Sequence, residues 1–469
     1  MSYERQAGER ALREVAAEVA VRHFRKALQL LDRFGPENLS LRCVVLLQLA
    51  GAHDRAGEYA ARDGRFAEAA DTARRLGNDR LFVRAALGYG GILPATATPD
   101  PRAQSLLEEA LDRLGTADDG TADDEARATI LARLAHWLHT ARPYPERLEL
   151  SDRSLSVARG TGDRRTLATV LSHRCWALDG PGDVADARAV ADEILGIGAE
   201  LGDPEVTLEG LRIRLAAQFE NGQQSAAAQT ARDMKRLAEK VRHPEFIRLA
   251  AMWDVTLANM EGRFADAEEL AGELDRRLQR IGHSQAQVIA LAQTFSRRWL
   301  QGRAAEYVPT FEALSALEPA NLTWTASTAW CLAAAGARDE AASLLAATGP
   351  AAAANADKNY LWWAVIVGFS IAADVTADRR WARALYELAA PYAGNNCTLG
   401  VACFLGAADH WLGVLAGTAG RFTAATAHLE AALARHRDMG ARPWTALTQE
   451  AYARVLAMRG RAAEPRPAG

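Results

Sequence analysis

Apolar residues recur at steps of three and four along most of the chain, as in LEGLRIRLAAQF at 208–219. That spacing gathers the apolar side chains on one stripe of a helix. Polar and Gly- or Pro-containing segments interrupt the stripes, so the pattern predicts a chain of amphipathic helices, about 22 in ten or eleven antiparallel pairs. Breaks are expected at GPENLS (35–40), LPATATPDP (93–101), GTADDGTADDE (115–125), TARPYPE (140–146) and GPAAAANADK (349–358). The acidic run at 118–125 reads as a solvated loop between helices. The most apolar stretch, YLWWAVIVGFSIAADV (360–375), is shorter than the ~20 residues a membrane span needs and reads as one buried helix.

The stripes are in register with a repeat. Gly-Arg-Phe occurs at 64–66, 262–264 and 420–422, each time at the head of a helical run. With the glycine as anchor, an alanine follows five residues later: Gly64 and Ala69, Gly182 and Ala187, Gly222 and Ala227, Gly262 and Ala267, Gly336 and Ala341, Gly420 and Ala425. Gly182, Gly222, Gly262 and Gly302 are spaced by 40 residues. A glycine after a helix supplies a left-handed C-cap at little steric cost. The aromatic residue two positions on packs back over the preceding helix, and the alanine lets the second helix approach.

These residues resemble the tetratricopeptide repeat, whose turn reads Gly-x-aromatic-x-x-Ala. The resemblance implies an all-α, right-handed α-solenoid of stacked helix pairs with a period near 40, longer than the family's usual ~34. The prolines that close the second helix also come late: Pro204 lies 22 residues after Gly182 and Pro244 lies 22 after Gly222. On this basis residues 1–117 are expected to form N-terminal repeats, 118–348 central repeats and 349–460 C-terminal repeats, with 461–469 as a disordered tail. Longer phrases, among them RRWARALYELAAPYAGNN and GRFTAATAHLEAALARHRDMGARPWTALTQEAYARVLAMRG, resemble the C-terminal helical region of large ATP-binding regulators of high-GC bacteria, LuxR-type or cyclase-linked. No Gly-x-x-x-x-Gly-Lys-Ser/Thr loop is present to cradle ATP phosphates. No helix-turn-helix follows the repeats before Gly469, so the chain is expected to be either a fragment of such a regulator or a free-standing helical part.

Composition narrows the function. The formal net charge is −4, and the 55 basic residues, nearly all Arg, are interspersed with 59 acidic ones. No separate basic face is set aside for nucleic acid, so direct nucleic-acid binding is not expected. The five cysteines (Cys43, Cys175, Cys331, Cys397, Cys403) form no CxxC pair and read as buried thiols of a reducing compartment. With charges where a secretory signal needs an apolar core, the expected location is cytoplasmic.

Chemistry-bearing patterns are sparse. His136 and His139 sit three apart on one helix face, without a third ligand at a metal-binding spacing. His173 and Cys175 are near neighbours on a helix whose side chains point apart. No nucleophile elbow or dinucleotide-binding glycine pattern occurs, so neither cofactor nor metal is expected. Tryptophans are concentrated on first helices of the pairs, the concave side in the resembled repeat. Positions 10, 6 and 3 residues before the anchor glycines select Trp176, Asp179, Arg212, Phe219, Met252, Asn259, Trp299, Trp330 and His410 as ligand-binding candidates. The tryptophans would stack on a ligand, Arg212 would pair with an acidic group, and Asn259 would hold a peptide backbone. The expected function is therefore non-enzymatic recognition of a protein segment or small molecule in a concave groove, serving regulation. An accessory enzyme of specialised metabolism and a homo-oligomeric scaffold are the alternatives. Trp330→Ala and Arg212→Ala are expected to weaken ligand binding and leave the helical melt nearly unchanged.

Overall fold

The structure is a computed structural model that describes residues 2–14, 16–91, 100–115, 121–138, 142–178, 180–182, 184–280 and 286–463. The described residues form twenty-four α-helices, an α-solenoid of antiparallel pairs, with one short β-hairpin between Asn396 and Ala407. None of the helices is long and apolar enough to cross a membrane. The apolar stretch near 360 forms the helix Trp362–Thr376, buried along most of its length.

The repeat has local causes. Gly222, Gly262, Gly302, Gly336 and Gly420 all have positive φ, the backbone a left-handed cap requires. Pro204 and Pro244 each open the next helix at its first turn, where a missing N–H costs nothing. Asp203 and Asp378 cap helix starts by accepting backbone N–H bonds, Asp203 from Glu205 at 2.8 Å and Asp378 from Arg380 at 2.9 Å.

Two anchors differ: Gly182 does not adopt the left-handed backbone, and Gly64 is not at a turn. Gly64 lies inside the helix Tyr59–Leu76, and the turn before that helix is made by Gly57 at φ 74°. Gly57 is followed by an aromatic residue two positions on, Tyr59, but by Arg62 where the alanine is expected. The alanine criterion therefore favoured the wrong glycine. Elsewhere Arg242 and Ala377 adopt the left-handed turn without glycine.

The second correction is the hairpin. Strands Asn396–Leu399 and Cys403–Ala407 pair antiparallel, with Thr398 opposite Phe404 and Leu399 opposite Cys403. Gly400, at φ 52°, turns the chain, and Ala402 N–H closes the turn onto Leu399 O at 3.0 Å. The hairpin packs among first helices of the central repeats. Thr256 Oγ1 lies 2.6 Å from Ala402 O, Asn396 Nδ2 donates to Phe219 O at 2.6 Å, and Trp411 Nε1 donates to Leu405 O at 2.7 Å. His436 Nε2 accepts Ala407 N–H at 2.9 Å. A strand edge buried without partners would be costly, and side chains of the solenoid supply them.

Distant repeats also meet directly. Arg55 pairs with Glu205 at 2.7 Å, and Arg147 Nη2 with Asp357 at 2.5 Å. Arg435 Nη1 donates to Asn221 O at 2.8 Å and Arg442 Nε to Glu261 O at 3.0 Å. These two carbonyls end the helices Pro204–Glu220 and Pro244–Glu261, so each guanidinium sits at the negative end of a helix dipole. Arg133 serves the end of Asp79–Gly88 in the same way, at 2.8 Å from Tyr89 O and 2.6 Å from Gly91 O. These three arginines thus close helix ends. The largest apolar cluster runs from Leu208 to Trp444 and joins central helices, hairpin and C-terminal helices in one core.

Candidate functional site

The sequence-selected residues fall in three packed groups. In the first, on the helices Thr121–Trp137, Arg164–Ala177 and Pro204–Glu220, the Trp176 ring stacks on His136 at 5.5 Å and 3°. The Arg212 guanidinium lies 4.4 Å from the centre of the Trp176 ring and pairs with Glu209 at 2.9 Å. Ser172 Oγ donates to the same Glu209 at 2.8 Å. His136 and His173 share a hydrogen bond of 3.0 Å between their Nδ1 atoms. Burial, with the Arg133 and Arg212 charges nearby, pushes the His173 pKa down to about 3, so the ring is neutral at physiological pH. Asp179 and His139 lie outside the described residues.

The second group borders the hairpin. Phe219 meets Trp253 edge-on at 4.8 Å and Phe404 at 5.7 Å. Met252 Sδ is 3.7 Å from Arg248 Nη1, and Asn259 Nδ2 donates to Gln293 O at 3.3 Å. In the third group Trp299 contacts Trp330 at 5.0 Å, Trp444 at 5.0 Å and Trp411 at 6.3 Å. His410 Nδ1 and His436 Nδ1 lie 2.9 and 3.0 Å from Thr448 Oγ1, whose own proton goes to Trp444 O at 2.7 Å. Both histidines therefore carry their proton on Nδ1, which leaves His436 Nε2 to accept Ala407 N–H. Arg212, Phe219, Met252, Asn259, Trp330 and His410 are buried, and Trp176 and Trp299 are half-buried.

These side chains pack against one another and against the rest of the fold. Next to the second and third groups, the space that a ligand would take is filled by the hairpin and the C-terminal helices. Phe404, Trp411 and Trp444, which pack on Phe219 and Trp299, stand more than a hundred positions away in the chain, and no local spacing announces them.

The buried titratable groups are held away from neutrality. Desolvation pushes the Cys331 and Cys403 thiols up to about 12, and holds His436 down at about 3. General acid–base work needs a group that titrates near the operating pH. One relay-like arrangement does exist: His428 Nδ1 lies 2.7 Å from Asp409 Oδ1, and His428 Nε2 3.1 Å from Tyr386 Oη. Burial raises the Asp409 pKa, but bonds from His428 and Gly394 N–H outweigh it and the net shift is downward. Neither of the two cavities described next borders that relay. Among the described residues, no group of three His, Cys, Asp or Glu side chains is arranged to hold a metal.

Two clefts lie on the surface, and sequence reasoning named none of their residues. The larger is an open groove of about 610 Å³ between the helices Val308–Leu317, Leu322–Ala334 and Arg338–Thr348. Leu332 and Leu344 line it together with Thr328, and the carboxylates of Glu312, Asp339 and Glu340 stand around them. All three acids are exposed and none forms an ion pair among the described residues. In sequence, Asp339 and Glu340 read only as the favourable acidic first turn of a helix. The smaller pocket, about 260 Å³, lies between Phe264–Arg280 and Ala286–Leu300.

No protein-family model and no curated protein matches the chain. Among solved structures, the crystal structure of yeast Tom70 is similar at 12% identity over 98% of this chain and 96% of that one, with a TM-score of 0.30. A circular tandem repeat protein with novel repeat topology and enhanced subunit contact surfaces is similar at 13% identity, with the same coverages and a TM-score of 0.14.

Proposed function

We propose that this solenoid is a non-enzymatic binding protein that docks a basic segment of a partner protein in the groove around Leu332 and Leu344. The observation that supports this reading is the set of Glu312, Asp339 and Glu340, three carboxylates without ion-pair partners around an apolar floor. An amphipathic segment carrying Arg or Lys beside Leu or Val matches that charge and that floor. A cytoplasmic role in bacterial signalling or transcriptional regulation fits the resemblance of the repeat phrases to regulator helical regions.

The test is a titration of fluorescein-labelled peptides with alternating basic and apolar residues, followed by polarisation at several salt concentrations. Binding is expected to weaken as salt rises. It is expected to fall by at least about tenfold in the triple variant Glu312→Lys, Asp339→Lys, Glu340→Lys. Equal affinity in the variant, or binding that ignores salt, refutes the proposal.

A further inference from the structure

The pocket between Phe264–Arg280 and Ala286–Leu300 is half-enclosed, with Leu274, Leu278 and Ile289 buried in its wall. Two side chains of opposite charge line it, Asp275 from one helix and Arg297 from the other, and they form no ion pair with each other. Arg297 is 3% exposed, and neither its Nε nor its Nη1 has a hydrogen-bond partner among the described residues. The remaining acid at the pocket, Glu268, is 57% exposed and already lies 3.0 Å from Arg298. Asp275 Oδ2 accepts one bond, from Gln279 Nε2 at 2.8 Å.

A buried guanidinium with unmatched N–H groups is costly unless something completes it. Other buried arginines are anchored by strong partners: Arg147, Arg212 and Arg248 each have a carboxylate, and Arg133 has three carbonyls on its Nη atoms although its Nε has none. Among the described residues Arg297 has neither a carboxylate nor a carbonyl on its Nε or Nη1, and a cavity adjoins it. A bare anion would satisfy Arg297 and leave Asp275, in the same lining, without a counter-charge. An inorganic ion would leave the leucine and isoleucine wall without a contact. A molecule with one charge of each sign and an apolar body meets all three features.

We propose that this pocket binds a small zwitterion of the amino-acid class. Its carboxylate accepts from Arg297, its ammonium donates to Asp275, and its apolar side chain lies on Leu274, Leu278 and Ile289. The volume of about 260 Å³ holds one such molecule and is below the range of drug-sized ligand sites, ~300–1,000 Å³. The pocket is separate from the acidic groove, so the failure of either proposal leaves the other standing.

The experiment is isothermal titration calorimetry on the full chain with leucine, methionine and 6-aminohexanoate, against hexanoate, hexylamine and inorganic phosphate. At least one amino acid is expected to bind, with the singly charged probes and phosphate at least about tenfold weaker. Arg297→Met and Asp275→Asn are each expected to abolish the signal while circular dichroism stays helical. Asp275 is the less buried of the two, so Asp275→Asn carries the test if Arg297→Met does not fold. Hexanoate or phosphate binding as tightly as the amino acids overturns the proposal. So does the absence of binding by every amino acid, or undiminished binding by Asp275→Asn.

Discussion

Trp330→Ala separates a core tryptophan from a ligand-stacking one. Trp330 is 2% exposed and meets Phe295 edge-on at 4.9 Å and Trp299 at 5.0 Å. Truncating a buried Trp to Ala costs about 3–5 kcal/mol through lost transfer energy and the cavity left behind. Each edge-on ring contact adds about 0.5–1.5 kcal/mol beyond its area. One feature opposes this: Trp330 Nε1 is buried without a hydrogen-bond partner. Removing an orphaned donor returns about 1–3 kcal/mol. The two ring contacts and the orphaned donor roughly cancel, so the net expectation is a loss of about 3–5 kcal/mol, a large share of the ~5–15 kcal/mol that holds a typical domain folded. Trp330→Phe keeps a ring, removes the orphan N–H, and is expected to lose less than half as much. The assay is urea unfolding followed by near- and far-ultraviolet circular dichroism. A midpoint in Trp330→Ala equal to wild type, with partner or ligand binding lost, refutes the packing argument and restores the open-groove expectation.

Two further outcomes are expected. Gly64 is mid-helix, and a methyl group there would meet nothing within 4 Å, so Gly64→Ala is expected to raise stability by roughly 0.5–1 kcal/mol. Gly262 has φ 79° and a Cβ there would sit 2.9 Å from Pro443 Cγ, so Gly262→Ala is expected to lower the thermal midpoint; the opposite order of the two would return Gly64 to a turn. His173 and His436 titrate at about 3 in the fold against an ordinary 6.5, so the unfolded chain binds more protons between those values. Their contribution is intact above about pH 6.5 and is lost as pH falls toward 3. At pH 5 each is expected to have cost on the order of 1–2 kcal/mol, and a urea midpoint unchanged between pH 7 and pH 5 contradicts the burial of these rings.

The helical pattern and the turn glycines were legible because both are local. A stripe of apolar residues at three and four and a glycine at φ near +75° are decided within one turn of backbone. Arg242 and Ala377 show the limit, since each holds a left-handed turn that composition does not mark. The hairpin had a faint signal, Gly400 between Cys-Thr-Leu and Cys-Phe-Leu, but runs of four and five residues are too short to separate strand from buried helix by periodicity. For the candidate residues the limit is of another kind. Register arithmetic picks residues on the helices that line the inside, and it cannot tell whether that inside is occupied. Phe219 meets Phe404 and Thr256 meets Ala402 across 185 and 146 residues of chain. Arg297 and Asp275 were missed because their interest lies in sharing one pocket without pairing with each other.

The arginine bonds between distant repeats bear on how the chain is made. An ordinary repeat array can fold from the ribosome one unit at a time, because each unit needs only its neighbour. Here the carbonyl ends of Pro204–Glu220 and Pro244–Glu261 await Arg435 and Arg442, and the wall around Phe219 awaits Phe404. Until those residues emerge, the nascent central repeats carry an unsheathed apolar face, which is a natural target for a holding chaperone. Synthesis of the segment from Phe404 to Arg442 would then act as the latch that ends that dependence.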